Sequence, residues 1–141
     1  MNIHGAQPPR GRPLRVPLLF LRALWRVASI RVLLTTISFP RVRRHVDRLS
    51  QARSRAMKAS SPQAIAGAVR SASRLVPGAS CLTQALAARV LLEQGEHASR
   101  LHIGVSREHG DFEAHAWVEH DGAIIIGDIE RTFVSLPSIE P

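Results

Sequence analysis

The chain has 141 residues, which is enough for one domain with a modest hydrophobic core. Its apolar content of 45% is ordinary for a globular protein, and its single cysteine excludes an internal disulfide, a usage that fits a reducing cytoplasm. The net charge of +8 is uneven, because residues 1–58 hold 13 Lys and Arg against one acidic residue, whereas residues 59–141 hold 6 against 10.

The N-terminal part of the sequence predicts a disordered tail followed by a basic helical extension. Residues 1–13 contain three prolines and two glycines, a composition typical of a disordered tail. Residues 14–58 predict a basic amphipathic extension, with one helix over 17–38, a break at Pro40, and a polar second helix over 41–58 that has little to bury. Arginines interrupt the apolar stretch before it reaches the roughly 18 residues of a membrane span, so we expect neither a span nor a signal peptide.

One stripe of the first predicted helix is too apolar for a solvated arm. An exposed apolar patch of this kind usually marks an interaction site. We therefore expect the extension to bind a partner protein, with its arginines facing acidic side chains, and a membrane surface is the alternative. The apolar residues of this stripe are Leu18, Leu21, Leu24, Trp25, Leu33 and Leu34.

Residues 59–141 predict an α+β domain. Ser61-Pro62 is typical of a helix start, and an apolar stripe runs from there through Leu75 and Val76. A second apolar helix is predicted from Cys81 to a C-cap at Gly95. Residues 98–105 alternate between apolar and polar side chains, as a half-buried strand does. Residues 106–112 predict a polar loop, and two further strands follow it.

Cys81 lies where a nucleophile would lie. Ser80 is suited to cap the helix, which makes Cys81 the first helical residue. Unpaired N–H groups and the helix dipole place partial positive charge there, so a thiolate is stabilised. The alternative is a small buried apolar side chain, the commonest role of a free cysteine.

The dipeptide Asp121-Gly122 predicts a two-residue type I′ turn between the last two strands. In that register paired residue numbers sum to 243, so His115 faces Asp128 on one side of the sheet, with Cβ atoms roughly 4.5–5.5 Å apart. A carboxylate in that position accepts the imidazole N–H and fixes its tautomer. A surface ion pair is the alternative.

Cysteine, histidine and aspartate in this order indicate a papain-like site of Cys81, His115 and Asp128. Trp117 shares the face of His115, and a tryptophan there is costly to leave in water. We therefore expect Trp117, together with Ser80, to line a cleft.

Two segments, Val76–Ala87 and Ala114–Asp128, resemble the transglutaminase-like leader-peptidase domain of the lasso-peptide biosynthesis B proteins. The likeness covers about residues 60–130. It implies a papain/transglutaminase-like core and a cysteine peptidase, in a stand-alone split form, that removes the leader from a ribosomally made precursor peptide. The family's catalytic triad falls on Cys81, His115 and Asp128.

The resemblance also implies two partners, a small leader-binding protein and an ATP-dependent macrolactam synthetase that closes the ring. A triad alone does not distinguish hydrolysis from amide transfer, because both proceed through an acyl-enzyme. A further alternative is a non-catalytic basic adaptor that binds nucleic acid or an anionic surface. Nucleic acid is not expected, because two Trp, four Phe and no Tyr leave few groups for stacking. No metal is expected, because His102, His109, Cys81 and His115 lack metal-ligand spacing, and the expected reaction needs no organic cofactor.

Overall fold

The computed structural model describes residues 15–108, 110–127 and 134–135, with side chains described for 17–105 and 114–127. In these ranges, helices precede a small antiparallel sheet, so the predicted α+β class is confirmed. The helices are α1 (Arg15–Thr36), α2 (Phe39–Ser50), α3 (Arg55–Ala59), α4 (Pro62–Ser73) and α5 (Cys81–Gln94), and the strands are β1 (Arg100–Glu108), β2 (Asp111–His120), β3 (Ala123–Ile126) and β4 (Val134–Ser135).

The two N-terminal helices belong to the same hydrophobic core as the rest of the chain. Val27 and Ile30 of α1 and Val42 and Val46 of α2 are completely buried, and α1 and α2 pack on α5. Burying one such side chain stabilises the fold by roughly 1.5–3 kcal/mol. The basic segment before residue 59 and the acidic segment after it therefore differ in charge but share one hydrophobic core.

The basic stretch after α1 forms two helices, where one continuous helix over 41–58 was expected. Pro40 lies in the first turn of α2, where a backbone N–H is not needed. This proline therefore helps to begin a helix, besides breaking the apolar stretch that precedes it. A turn follows, and the Ser54 side chain caps α3 by accepting from the Met57 N–H at 3.3 Å. Met57 is buried, so this stretch contributes more to the core than its polar composition indicates.

Serine caps begin α4 and α5 as predicted. The Ser61 hydroxyl accepts from the Ala64 N–H at 3.1 Å, and the Ser80 hydroxyl accepts from the Thr83 N–H at 3.3 Å. Each bond satisfies one of the N–H groups that a helix start leaves without an intrahelical partner. Cys81 is consequently the first residue of α5.

The ends of these helices follow different rules. Gly95 is the C-cap of α5, as predicted, but its φ of −87° is one that any residue adopts. Glycine is needed because a Cβ atom there would lie 2.7 Å from the backbone carbonyl of Met57. The apolar stripe predicted through Leu75 and Val76 is confirmed only in part, because α4 ends at Ser73 and Leu75 is exposed, whereas Val76 packs against the core.

The sheet has the strand order β3-β2-β1-β4, with antiparallel pairing throughout. Ala116 and Val118 of β2 face the core beneath α5, as the alternation of residue types predicts. The predicted polar loop over 106–112 is largely strand, because β1 and β2 stay paired as far as Glu108 and Asp111. No helix in the described part of the chain has the length and apolar character needed to cross a membrane.

The β2–β3 turn forms as predicted at Asp121-Gly122. The two residues have φ values of 49° and 76°, and a type I′ turn requires positive φ at both positions. His120 pairs with Ala123 across this turn.

A bulge then changes the register of β3. Glu119 still pairs with Ile124, but Val118 pairs with Ile126, which leaves Ile125 as an extra residue. The predicted pairing, in which paired residue numbers sum to 243, is therefore wrong from Val118 back along β2. The reason is that a bulge sets two residues of one strand opposite one residue of the other.

Candidate active site

Cys81 lies at the wall of a cavity of about 730 Å³. Its side chain is half-buried, and α5 anchors it, since most of that helix is inside the core. Local sequence produces this placement, because α4 has already ended at Ser73, Pro77 and Gly78 form a turn, and Ser80 caps the next helix. Gly78 has a φ of 73°, a left-handed conformation that favours glycine.

His115 lines the same cavity from β2. It lies between exposed Ala114 and buried Ala116, and its own side chain is half-buried. Its ring stacks on that of Trp117, with centroids 6.3 Å apart and an interplanar angle of 22°. The structure thus brings together the thiol and the imidazole that the sequence singled out, although they are 34 positions apart.

The start of α5 also supplies backbone donors beside the thiol. The first intrahelical bond runs from the Gln84 N–H to the Ser80 carbonyl at 3.0 Å, and the Ser80 hydroxyl takes the Thr83 N–H. By helix geometry the N–H groups of Cys81 and Leu82 precede that first bond. Two donors and the positive end of the helix dipole are therefore available beside Cys81, where negative charge would develop on a carbonyl oxygen when the thiolate attacks its carbon.

Two polar residues of the cavity wall, Arg70 and Gln84, were missed as site residues in the sequence. Gln84 follows Cys81 by three positions, the spacing that puts two side chains on one helix face, so helical periodicity is the signal that finds it. Arg70 comes from α4, and nothing in its local sequence distinguishes it from other surface arginines.

Arg70 connects α4 to the bulged strand. Its Nη1 donates to the carbonyl of Ile125 at 2.7 Å. The carbonyl of the bulge residue is therefore hydrogen-bonded to the guanidinium. The remaining wall on this side is apolar, formed by Ile124 to Ile126, with Gly127 at the end. The cavity therefore combines a thiol, an imidazole and a guanidinium with an aliphatic wall.

The other two residues expected at a cleft have structural contacts of their own. Ser80 caps α5, and Trp117 is buried with its ring stacked against those of both His102 and His115. The His102 Nε2 atom lies 3.2 Å from a carboxylate oxygen of Glu119. Neither Ser80 nor Trp117 is among the described residues that line the cavity.

Asp128 lies outside the described residues, and so does His109. The observed pairing does not continue the register that would set Asp128 opposite His115, because the bulge at Ile125 shifts β3 by one residue. The role of Asp128 stays a prediction that rests on the resemblance. Among the described residues, no group of three His, Cys, Asp or Glu side chains is placed to hold a metal ion.

A helix that begins with cysteine, packed on a strand that carries histidine beside a shared cavity, is the arrangement of a cysteine-dependent acyl-transfer site. The family comparison agrees, since the model of the transglutaminase-like superfamily matches residues 23–136. The chain belongs to this superfamily, whose members are in general cysteine hydrolases and acyltransferases. The match includes most of α1, in keeping with the shared core. No curated protein and no solved structure matches the chain significantly.

Proposed function

We propose that this protein is a cysteine peptidase that removes the leader from a ribosomally made lasso-peptide precursor before the macrolactam ring is closed. The observation that carries the proposal is the meeting of Cys81 and His115 at one cavity, at the N-terminus of a buried helix. The choice of substrate is supported by the likeness of the segments around Cys81 and His115 to the lasso B proteins.

In the proposed reaction, His115 takes the thiol proton and the Cys81 sulfur attacks the carbonyl carbon of the leader–core peptide bond. The oxyanion forms beside the N–H groups of Cys81 and Leu82. His115 then gives its proton to the departing core amine as the C–N bond breaks, which leaves the leader as a thioester on Cys81. Water, deprotonated by His115, hydrolyses this thioester, releases the leader acid and restores the thiol. Asp128 is proposed to orient the imidazole and stabilise its protonated form.

The proposal includes three partners. The precursor peptide is the substrate, a small leader-binding protein delivers it, and an ATP-dependent macrolactam synthetase uses the amine that cleavage exposes. We place this reaction in the cytoplasm, where a free catalytic thiol stays reduced.

The test uses a candidate precursor and the leader-binding protein encoded by open reading frames that neighbour the gene of this chain. Both are incubated with the purified full-length protein, and the products are identified by mass spectrometry. We expect two fragments, with one oxygen from labelled water in the leader acid. Cys81→Ala and His115→Ala should abolish cleavage while circular dichroism stays unchanged. His102→Ala is the matched control, because His102 stacks on the same tryptophan as His115 but does not line the cavity.

The alternatives give different results. An amide-transfer enzyme yields a leader joined to an added amine, with a corresponding mass. Wild-type cleavage by Cys81→Ala contradicts any mechanism through this thiol, and absence of cleavage by the wild-type protein favours the non-catalytic adaptor.

A further inference from the structure

A second concave surface lies on the basic side of the molecule. It is a groove of about 490 Å³ between α1, the turn after α2, and α5, and it shares no described lining residue with the catalytic cavity. We call it the α1 groove. The residues that give it its chemistry are Leu18, Leu21, Trp25, Arg22, Arg26 and Arg53.

Large apolar side chains stand exposed along the α1 groove. Leu18, Leu21 and Trp25 are 58%, 57% and 69% exposed. Their spacing of three and four residues puts them on one face of α1, whereas Ala23 and Val27 enter the core on another. Contiguous exposed apolar surface of this kind is rare on soluble proteins outside interaction sites. Only part of the apolar stripe predicted from sequence is therefore exposed, because its other members, Leu24, Leu33 and Leu34, pack against the core.

The charges of the α1 groove are all of one sign. Arg22, Arg26 and Arg53 line it, and no acidic side chain is among its described lining residues. Arg22 is held in place, because its Nη1 donates to the Ser54 hydroxyl at 2.8 Å. Burial, together with the charge of Arg22, lowers the pKa of Arg26 from its ordinary value, as happens where a cation lacks a countercharge. Arg53 has a long contact of 3.9 Å with Glu96, and its Nη1 donates to the Glu93 carbonyl at 3.5 Å.

We propose that the α1 groove binds an acidic peptide segment that carries two or more large apolar side chains. Its apolar side chains would cover Leu18, Leu21 and Trp25, and its carboxylates would pair with the arginines. Residues 1–14 do not offer this chemistry, because they contain two arginines and no acidic residue. A bilayer surface matches the charge but does not fill a concave groove. This inference does not rest on the proposed peptidase activity, since a peptide can bind here whether or not Cys81 reacts.

The probe is a fluorescein-labelled amphipathic peptide of about 15 residues, with leucine at helical spacing and glutamate at most other positions. Its anisotropy is measured against the full-length protein, and the same peptide with lysine in place of glutamate is measured in parallel. We expect only the acidic peptide to bind, with weaker binding at higher salt. Trp25→Ala should weaken binding about tenfold, as expected for an aromatic anchor, and Leu21→Ala and Arg22→Gln should each weaken it several-fold.

Matched variants outside the groove serve as controls. Val32→Ala removes a side chain of α1 that is 58% exposed, and Arg74→Gln removes an exposed positive charge, but neither residue lines the groove. Both should leave binding unchanged. The proposal is overturned if the acidic peptide does not bind, or if the controls weaken binding as much as the groove variants do. It is also overturned if single-stranded oligothymidylate, or vesicles of phosphatidylcholine with phosphatidylserine, bind while the peptide does not. Failure here leaves cleavage by Cys81 untouched, so the two proposals fail separately.

Discussion

Replacing Gly127 by alanine should destabilise the protein for two separable reasons. The residue has a φ of 83°, and an L-residue in the left-handed region costs about 1–2 kcal/mol. A Cβ atom there would also lie 2.7 Å from the Ala116 carbonyl oxygen and 2.8 Å from the Cβ atom of Trp117. Overpacking of this kind costs about 1–3 kcal/mol, so we expect a total loss of about 2–5 kcal/mol in the free energy of unfolding.

Gly122→Ala is the matched control for this prediction. Gly122 has a similar φ of 76°, but a Cβ atom there meets no atom within 4 Å. Its replacement should cost only the backbone part, about 1–2 kcal/mol. Urea unfolding of the wild-type protein and both variants measures the difference directly, provided that the denaturant slopes agree. Equal losses in the two variants would refute the reasoning, because they would show that β2 leaves room for a side chain at Gly127.

Three further predictions concern the nucleophile, the third residue of the triad and the N-terminal helices. Cys81 should react with iodoacetamide at neutral pH faster than glutathione does, and more slowly in His115→Ala; a thiol that reacts only after denaturation would indicate a buried core cysteine. Asp128→Asn should lower the turnover rate by roughly 10³–10⁴-fold without unfolding the protein, and a rate within about twofold of wild type would remove Asp128 from the triad. A chain that begins at Ser60 should fail to fold, because it lacks the core residues of α1 and α2, and a cooperative thermal transition in that fragment would contradict this expectation.

The elements that were predictable from sequence depend on local chemistry. Ser61-Pro62 and Ser80 are capping signals that operate within one helical turn, and Asp121-Gly122 forms its turn from backbone preference alone. Such features need no knowledge of what packs against them. The meeting of Cys81 and His115 is a tertiary contact, and it was expected from the papain-like order of the residues rather than from local chemistry.

The features that were not predictable depend on distant contacts. The bulge at Ile125 occurs where Arg70, 55 positions earlier in the chain, donates to the Ile125 carbonyl. No residue of β3 is typical of a bulge. Similarly, α1 has apolar residues on more than one face, so periodicity alone does not distinguish buried Val27 from exposed Trp25. The many arginines of residues 14–58 are also typical of a solvated segment, although α1, α2 and α3 all contribute side chains to the core.

The walls of the catalytic cavity differ in how they are held. Cys81 begins a helix whose other residues are mostly buried, so its position is fixed by the packing of α5 in the core. The wall on the other side is β3, a four-residue strand at the edge of the sheet; Ile126 anchors it in the core, and a hydrogen bond from Arg70 to the Ile125 carbonyl joins it to α4. Loss of that hydrogen bond would weaken the attachment of the aliphatic wall to α4 without touching the helix that carries the nucleophile.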